Sequence, residues 1–159
     1  MIKAVDLIKQ EKINYILAVG GGSVIDGSKF IAAAALYPSD PWEIIQTYGA
    51  KVTSALPLGC VLTLAATGSE MNKGAVITKA ETKDKLFFFS DHVQPRFSIL
   101  DPETTYSLPA KQTGNGVVDS FVHVVEQYVT YPVNAKVQDR FAEGLILNLL
   151  EDGPKALEN

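Results

Sequence analysis

Hydrophobic positions recur at helical spacing over residues 2–12 and leave lysine and glutamate side chains for the opposite face, which predicts an amphipathic helix. The next apolar run, residues 15–19, is short and ends in three glycines, as is typical of a buried parallel strand. Residues 23–36 are rich in alanine and isoleucine and predict a second helix. The pattern therefore predicts a helix, a strand, a glycine turn and a helix in succession.

The following seventy residues predict short elements separated by polar turns. A short helix is predicted over residues 41–45, because Pro41 suits the first helical position. Residues 60–64 predict a second buried strand. Three more strand candidates follow, at residues 74–78, 86–89 and 97–100.

The pattern changes near Tyr106. Two long helical segments follow, residues 109–130 and 134–150, separated by Tyr131 and Pro132. No strand candidate appears after Leu100. The sequence therefore predicts an α/β fold class in two parts: a partial Rossmann-like, parallel-sheet domain over residues 1–106, and the start of an all-helical domain over residues 107–159.

Charge and hydropathy indicate which classes of molecule the protein does not bind. The 159 residues carry 14 Lys and Arg against 18 Asp and Glu, a formal net charge of −4, and the basic residues are scattered, so we expect no nucleic-acid partner. No apolar run approaches the roughly 20 residues that cross a bilayer, so we expect no membrane partner. The first residues lack the apolar centre of a secretory signal, and the single cysteine, Cys60, forms no internal disulfide. A cytoplasmic location is expected.

The glycine turn at residues 20–22 is the first candidate site. A strand that runs through glycines into a helix presents bare backbone N–H groups and the positive end of the helix dipole, which together favour phosphate. Ile25 stands where the usual dinucleotide fingerprint has its third glycine, so that fingerprint is absent. Asp26 in the first turn would repel phosphate and is expected to accept hydrogen bonds from a ribose or a nicotinamide amide. The alternative is that Ser23 and Asp26 form a capping box.

A second turn of small and polar residues, at residues 67–70, follows the second predicted strand. Taken alone it is typical of a helix cap, with Thr67 and Glu70 as a capping box. The carboxyl ends of neighbouring parallel strands line one crevice, however. We therefore predict that both turns face the same ligand.

Asp119 and His123 lie four residues apart on the first long helix, so their side chains share one face. Both are competent metal ligands, and the alternative is an internal Asp–His hydrogen bond. Neighbours such as Val118 and Val122 are apolar, which predicts a helix that is buried on most sides. A site with four protein ligands would need groups that the chain does not obviously contain. Cys60 lies in an apolar strand and is expected in the core, not as a ligand.

Three motifs carry a resemblance to a known family. They are Gly-Gly-Gly-Ser-x-x-Asp-x-x-Lys at residues 20–29, Thr-x-x-x-Thr-Gly-Ser-Glu at residues 63–70 and Asn-Gly-x-x-Asp-x-x-x-His at residues 115–123. Their order resembles that of the iron-containing alcohol dehydrogenases, and the fit is closest to the NADPH-dependent aldehyde reductase and butanol dehydrogenase branch. The resemblance covers essentially the whole chain.

The resemblance implies an enzyme that transfers a hydride between NADPH or NADH and an aldehyde or alcohol. It implies an α/β domain that holds NADP or NAD, a helical domain that holds one divalent metal, Fe²⁺ or Zn²⁺, and a homo-oligomeric parent, a dimer. Carried over by position, the expected cofactor contacts are Gly21, Gly22, Ser23, Asp26, Thr63, Thr67, Asn72 and Lys85. Asp119 and His123 match the first two metal ligands, and no other catalytic residue is assigned.

The resemblance also implies that the chain is a middle portion of a larger enzyme. The family takes two further histidine ligands from later helices, so we expect this chain alone to bind metal weakly, to catalyse nothing and to aggregate. Two alternatives stay open. One is a glycerol-dehydrogenase-like or dehydroquinate-synthase-like relative, which the motifs at residues 67–70 and 115–123 argue against. The other is a non-catalytic partial nucleotide-binding module.

Overall fold

The computed structural model describes residues 1–131 and 133–158. Five α-helices and five strands lie within that described part. The helices are α1 (Ile2–Glu11), α2 (Gly22–Leu36), α3 (Trp42–Gln46), α4 (Ala110–Thr130) and α5 (Lys136–Lys155). The strands are β1 (Ile16–Gly20), β2 (Leu58–Leu62), β3 (Gly74–Thr78), β4 (Lys85–Phe89) and β5 (Ser98–Ile99).

The chain divides into two compact units. The first comprises Met1–Thr63 and Gly68–Thr104 and holds the strands; the second comprises Leu64–Thr67 and the residues from Thr105 onward and holds α4 and α5. This is the predicted fold class, a partial parallel-sheet α/β domain and the start of a helical one. Among the described residues, no helix combines the length and apolar character that spanning a bilayer requires.

The parallel sheet has the strand order β1-β2-β5. Gly20 at the end of β1 pairs with Leu62 at the end of β2, so the carboxyl ends of these two strands lie side by side. The backbone N–H of Thr63, just after β2, donates to the carbonyl oxygen of Gly20 at 3.2 Å. The register therefore places Thr63 beside the glycine turn.

Helix α2 is the centre of the first core. Its alanines 32–34 are fully buried, and small side chains let the neighbouring elements approach closely. Phe30 packs edge-to-face on Phe88 of the antiparallel hairpin β3-β4, with ring centroids 6.3 Å apart. Fully burying a side chain of this size contributes about 1.5–3 kcal/mol. The hairpin is thereby fixed against the helix whose first residues form the glycine turn.

Most predicted bounds need correction by one or two residues, and α5 ends at Lys155, five residues beyond its predicted end. Strand β2 spans Leu58–Leu62, two residues earlier at both ends than predicted, because it pairs along its whole length with β1. Helix α3 begins at Trp42, with Pro41 at the cap position before it. Strand β3 has the bounds that were predicted.

The prediction that α4 is buried on most sides is wrong for the described chain. None of its residues is buried, and Val118 and Val122 are 62% and 52% exposed. The reason is that α5 is the long element packed along α4 within its unit. That contact is close: a Cβ atom at Gly153 of α5 would lie 2.5 Å from Cγ1 of Val117.

Candidate functional site

The glycine turn joins β1 directly to α2. Gly21 occupies the cap position, and the first backbone bonds of the helix run from the N–H groups of Val24 and Ile25 to the carbonyl oxygen of Gly21, at 3.0 and 3.2 Å. The N–H groups of Gly22 and Ser23 precede those bonds and lie at the positive end of the helix. This is an arrangement that suits phosphate oxygens.

A close approach of strand and helix requires glycine at the start of this turn. A Cβ atom at Gly20 would lie 2.7 Å from the Cβ atom of Val24, and real Cβ atoms do not come that close. Ser23, by contrast, is exposed. Gly22 is buried and Gly21 is half-buried, so the turn is open to solvent at Ser23.

The predicted capping box of Ser23 and Asp26 does not form, because no side chain caps α2. The Asp26 carboxylate binds residues distant in sequence: Oδ1 accepts from the Ser69 hydroxyl at 2.5 Å, and Oδ2 accepts from the N–H of Val76 at 2.9 Å. Asp26 thereby ties the first turns of α2 to the second turn and to β3. Each carboxylate oxygen keeps a further lone pair, so the expected contact with a cofactor stays a prediction.

Lys29, one helical turn after Asp26, makes a second tie from α2. Its buried ammonium donates to the carbonyl oxygen and to Oδ1 of Asn72, at 2.8 and 2.9 Å, and to the carbonyl oxygen of Gly74 at 2.8 Å. Sequence reasoning gave Lys29 no role. Two signals were available: it is the last residue of the motif at residues 20–29, and it lies on the apolar face of the helix, four residues from both Ile25 and Ala33.

Burial is the main influence on the charge of Lys29. Loss of solvation lowers the pKa of its ammonium to about 8, and Asp26, then Cys60 and Glu70, oppose that shift by their charges. The Oε2 atom of Glu70 is itself buried and has no hydrogen-bond partner within residues 1–131 and 133–158. A buried acceptor of this kind fits a donor group supplied by a bound molecule.

The second turn, residues 67–70, leads into a short 3-10 helix, Ser69–Met71, that begins after Gly68. Gly68 occupies the cap position of this helix with φ +66. The predicted capping box of Thr67 and Glu70 stays a prediction. Asn72, the first residue after this 3-10 helix, is exposed.

The remaining predicted cofactor residues are spread over both units. Thr63 lies beside Gly20 at the end of β2. Lys85 begins β4 opposite Thr78 and is exposed, as a residue that reaches for phosphate would be. Thr67 belongs to the second unit. Together with the turn at residues 20–23, these residues retain their assignments as predictions.

Asp119 and His123 lie one turn apart on α4, both about half exposed. The Oδ2 atom of Asp119 is 3.7 Å from Nε2 of His123, which is too long for the internal hydrogen bond that was the alternative. Both side chains are therefore available to a cation. Within the described part of the chain, no cluster of three or more His, Cys, Asp or Glu side chains is placed to hold a metal ion. The two residues fit half of a four-ligand site.

Cys60 lies in the core, as predicted. It is fully buried in β2, and its Sγ atom is 3.2 Å from the Ser98 hydroxyl oxygen on β5.

Comparison with known proteins decides the family. The sequence model described as iron-containing alcohol dehydrogenase matches residues 1–102, well over half of the chain. The chain belongs to the iron-containing alcohol dehydrogenase family. The resemblance inferred from the three motifs is thereby confirmed.

Individual members of the iron-containing alcohol dehydrogenases match almost the whole chain. It is 63% identical over 160 aligned residues to the NADPH-dependent aldehyde reductase YqhD of Escherichia coli, covering 99% of this chain and 41% of that protein. It is 42% identical over 156 residues to NADH-dependent butanol dehydrogenase B of Clostridium acetobutylicum, covering 98% of this chain and 40% of that one.

Solved structures of the family agree in fold. The crystal structure of E. coli YqhD superposes with a TM-score of 0.96 at 62% identity, covering 99% of this chain and 41% of that chain. NADH-dependent butanol dehydrogenase A of Thermotoga maritima superposes with a TM-score of 0.88 at 39% identity, covering 97% and 38%. The chain thus spans about two fifths of the length of these relatives.

Proposed function

We propose that this chain supplies the nucleotide-binding part and half of the metal site of an alcohol dehydrogenase or aldehyde reductase that transfers a hydride between NADPH or NADH and an aldehyde or alcohol. The observation that carries the proposal is the glycine turn between β1 and α2, which is exposed at Ser23 and is tied to the second turn through Asp26. NADPH is favoured, because the relative with 63% identity is described as NADPH-dependent.

The proposed nucleotide site lies in residues 1–106. The N–H groups of Gly22 and Ser23 would receive the pyrophosphate at the positive end of α2. Lys85 would add a cation near the phosphates. The other proposed contacts are Gly21, Asp26, Thr63, Thr67 and Asn72.

The proposed metal site lies in residues 107–159. Asp119 and His123 would hold one divalent cation, and this carboxylate and imidazole pair suits both Fe²⁺ and Zn²⁺. Such a cation would supply Lewis acidity toward a substrate carbonyl, and the dinucleotide would supply or accept the hydride. This chain would orient both groups: the N-terminus of α2 would hold the dinucleotide by its phosphates, and the two side chains on α4 would hold the cation.

An exchange of segments with the E. coli aldehyde reductase tests this function. In the hybrid enzyme, the 159 residues of this chain replace the aligned segment, which is 41% of that protein. We expect the hybrid to oxidise NADPH in the presence of short aldehydes at a rate comparable with that of the unmodified enzyme. The readout is the loss of NADPH absorbance with and without substrate.

Two results would contradict the proposed function. A folded hybrid that binds neither NADPH nor NADH would exclude the nucleotide site. A folded hybrid that binds nucleotide but fails with every aldehyde and alcohol offered would instead favour the glycerol-dehydrogenase-like or dehydroquinate-synthase-like alternative. For the 159-residue chain alone, we propose nucleotide binding without turnover.

A carboxylate added at the glycine turn should weaken NADPH binding without lowering the stability of the fold. Ser23→Asp places a negative charge at the N-terminus of α2, which favours the helix by about 0.3–1 kcal/mol. The same charge repels phosphate: two unit charges about 4 Å apart repel by ~1 kcal/mol in water and by more where water is displaced. We expect the affinity for NADPH, measured by fluorescence titration, to fall about tenfold while the melting temperature stays equal or rises.

Ser39→Asp is the matched control, because it adds the same charge at an exposed position beyond the other end of α2, about 22 Å away along the helix axis. We expect its affinity for NADPH to equal that of the unmodified chain. Equal affinities for both variants would show that phosphate does not lie at the glycine turn.

We further propose that the whole enzyme is a dimer of identical subunits in the cytoplasm, without nucleic-acid or membrane partners. The lone buried cysteine and the net charge of −4 support the location and the absence of a nucleic-acid partner. Light scattering on the hybrid enzyme tests the assembly.

A further inference from the structure

The side-chain amide of Asn72 is held in one orientation. Two donors, the Lys29 ammonium at 2.9 Å and the N–H of Gly74 at 2.9 Å, converge on the same atom. That atom must be the oxygen, because an amide nitrogen accepts from neither. The Nδ2 end of the amide therefore points away from both donors.

The Nδ2 atom of Asn72 is left available to a ligand. Asn72 is exposed, and within the described ranges 1–131 and 133–158 its Nδ2 atom has no hydrogen-bond partner. The atom lies on the side of the second turn, 3.9 Å from the point where a Cβ atom on Gly68 would stand. An exposed donor on a fixed amide is pre-organised for binding.

All three N–H donors of the Lys29 ammonium are used on this segment. Two of them bind Asn72, through its carbonyl oxygen and its Oδ1 atom, and the third binds the carbonyl oxygen of Gly74. The ammonium is fully buried, so it has no route to a ligand of its own. Any effect of Lys29 on binding must therefore pass through the residues that it holds.

We propose that Lys29 is a positioning residue for the dinucleotide, acting through Asn72: its ammonium fixes the oxygen of the amide so that Nδ2 is presented to the bound nucleotide. This inference rests on the proposed function, in which Asn72 contacts the cofactor. Lys29 is thus assigned no contact with the nucleotide itself.

The charge of Lys29 makes this positioning depend on pH. The charged groups that face the ammonium are Asp26 on α2 and Glu70 on the 3-10 helix, with the titratable thiol of Cys60 on β2. Burial outweighs them and sets the pKa near 8. Above that pH a neutral amine has two N–H groups and a lone pair for three oxygen atoms. One of the three contacts is then lost, so the amine holds residues 72–74 less firmly and the amide of Asn72 is less well oriented.

Stability and affinity should move in opposite directions with pH. Because the pKa in the folded chain, about 8, lies below the ordinary value of 10.5, the unfolded chain binds more protons between these pH values. The contribution of Lys29 to the free energy of unfolding therefore rises as the pH rises through that window. The affinity for NADPH should fall over the same window. A purely structural role for Lys29 would produce only the first effect.

The first test compares Lys29→Met with Lys73→Met by NADPH titration of the hybrid enzyme at pH 7. Lys73 follows Asn72 directly but is exposed and pairs with Asp91 on the surface, so the control removes the same charge nearby. We expect about tenfold weaker binding for Lys29→Met, the order of one lost hydrogen bond, and no change for Lys73→Met. Equal affinity of the hybrid enzyme with and without Lys29→Met would overturn the inference.

A double-mutant cycle tests whether Lys29 acts through Asn72. In the Asn72→Ala background, Lys29→Met should weaken binding no further, because the group that it positions is already gone. Additive effects would mean that Lys29 reaches the nucleotide by another route, and would overturn the assignment.

The hybrid enzyme without further substitutions supplies a measurement that requires no folded variant. Between pH 7 and 9.5 no phosphate of NADPH titrates, since the second pKa of a phosphate monoester is about 6. We expect the affinity to fall as the pH passes about 8, together with a shift of the ¹⁵N–¹H signals of the Asn72 side chain in the nucleotide-free protein. If the affinity and the Asn72 signals both stay constant over this pH range, the inference is overturned.

Failure of the inference is distinguishable from failure of the proposed function. If the hybrid enzyme binds NADPH, and neither Lys29→Met nor pH alters that binding, the proposed function stands and the role of Lys29 does not. If neither the unmodified chain nor the hybrid enzyme binds a dinucleotide at any pH, both are refuted.

Discussion

Replacing Asp119 or His123 by alanine in the hybrid enzyme is expected to lower kcat/KM for aldehyde reduction by about a thousandfold or more, beyond the ten- to hundredfold typical of residues that only support metal ligands. The two side chains lie on one face of α4, half exposed and not bonded to each other, so each is available to a cation. Losing either leaves the cation with too few ligands to polarise a carbonyl. Steady-state rates and the metal content of the purified hybrid measure the effect.

His92→Ala and Asp152→Ala are the matched controls, because both remove the same kinds of side chain from exposed positions outside the proposed site. They should keep the full rate and the bound metal. The double variant of Asp119 and His123 should be no worse than either single variant, since ligands act as one unit. NADPH affinity should stay unchanged in all of them. A full rate in both single variants would refute the metal site.

The order of elements and the glycine turn could be predicted from sequence because their signals are local. An apolar run before residues 20–22 and an alanine-rich segment after them leave few alternatives to a strand, a turn and a helix. The bounds of β2 could not be predicted as well. Its extension to Leu58 follows from pairing with β1, which lies some forty residues earlier in the chain.

The hydrogen-bond partners of Asp26 and Lys29 could not be predicted from local sequence patterns. Asp26 looks like half of a capping box with Ser23, yet its partners are 43 and 50 residues away. Lys29 binds a segment 43 to 45 residues away. A local pattern records which residues share a helix face, but not which distant backbone groups lie opposite that face.

For the two residues of the proposed metal site, local spacing was predicted correctly and the surroundings were not. The spacing of Asp119 and His123 predicted a shared helix face, and the structure places them there. Their surroundings were predicted wrongly, because apolar neighbours such as Val118 indicate which side of a helix prefers burial, not whether the described chain covers it.

Gly49→Ala is expected to lower the free energy of unfolding of the first unit by about 4 kcal/mol or more, in the range of the most damaging single substitutions. Gly49 has φ +84, which side chains rarely adopt. A Cβ atom there would also lie 2.0 Å from the carbonyl oxygen of Phe89 and 2.9 Å from its carbonyl carbon. These atoms are backbone and cannot rotate away, so β4 must move.

The structural consequence should be visible next to the substitution. The N–H of Phe89 donates to the carbonyl oxygen of Tyr48 at 3.2 Å, and displacement of β4 breaks that bond. Trp42, the single tryptophan, lies on α3 just before this segment and reports on it by fluorescence during urea unfolding. Gly27→Ala is the control: it lies within α2, its nearest contact is an ordinary 3.7 Å from Met1 Sδ, and alanine should stabilise the helix by about 0.5–1 kcal/mol. Equal urea midpoints for the two variants would mean that the backbone at Gly49 and Phe89 is not packed as described.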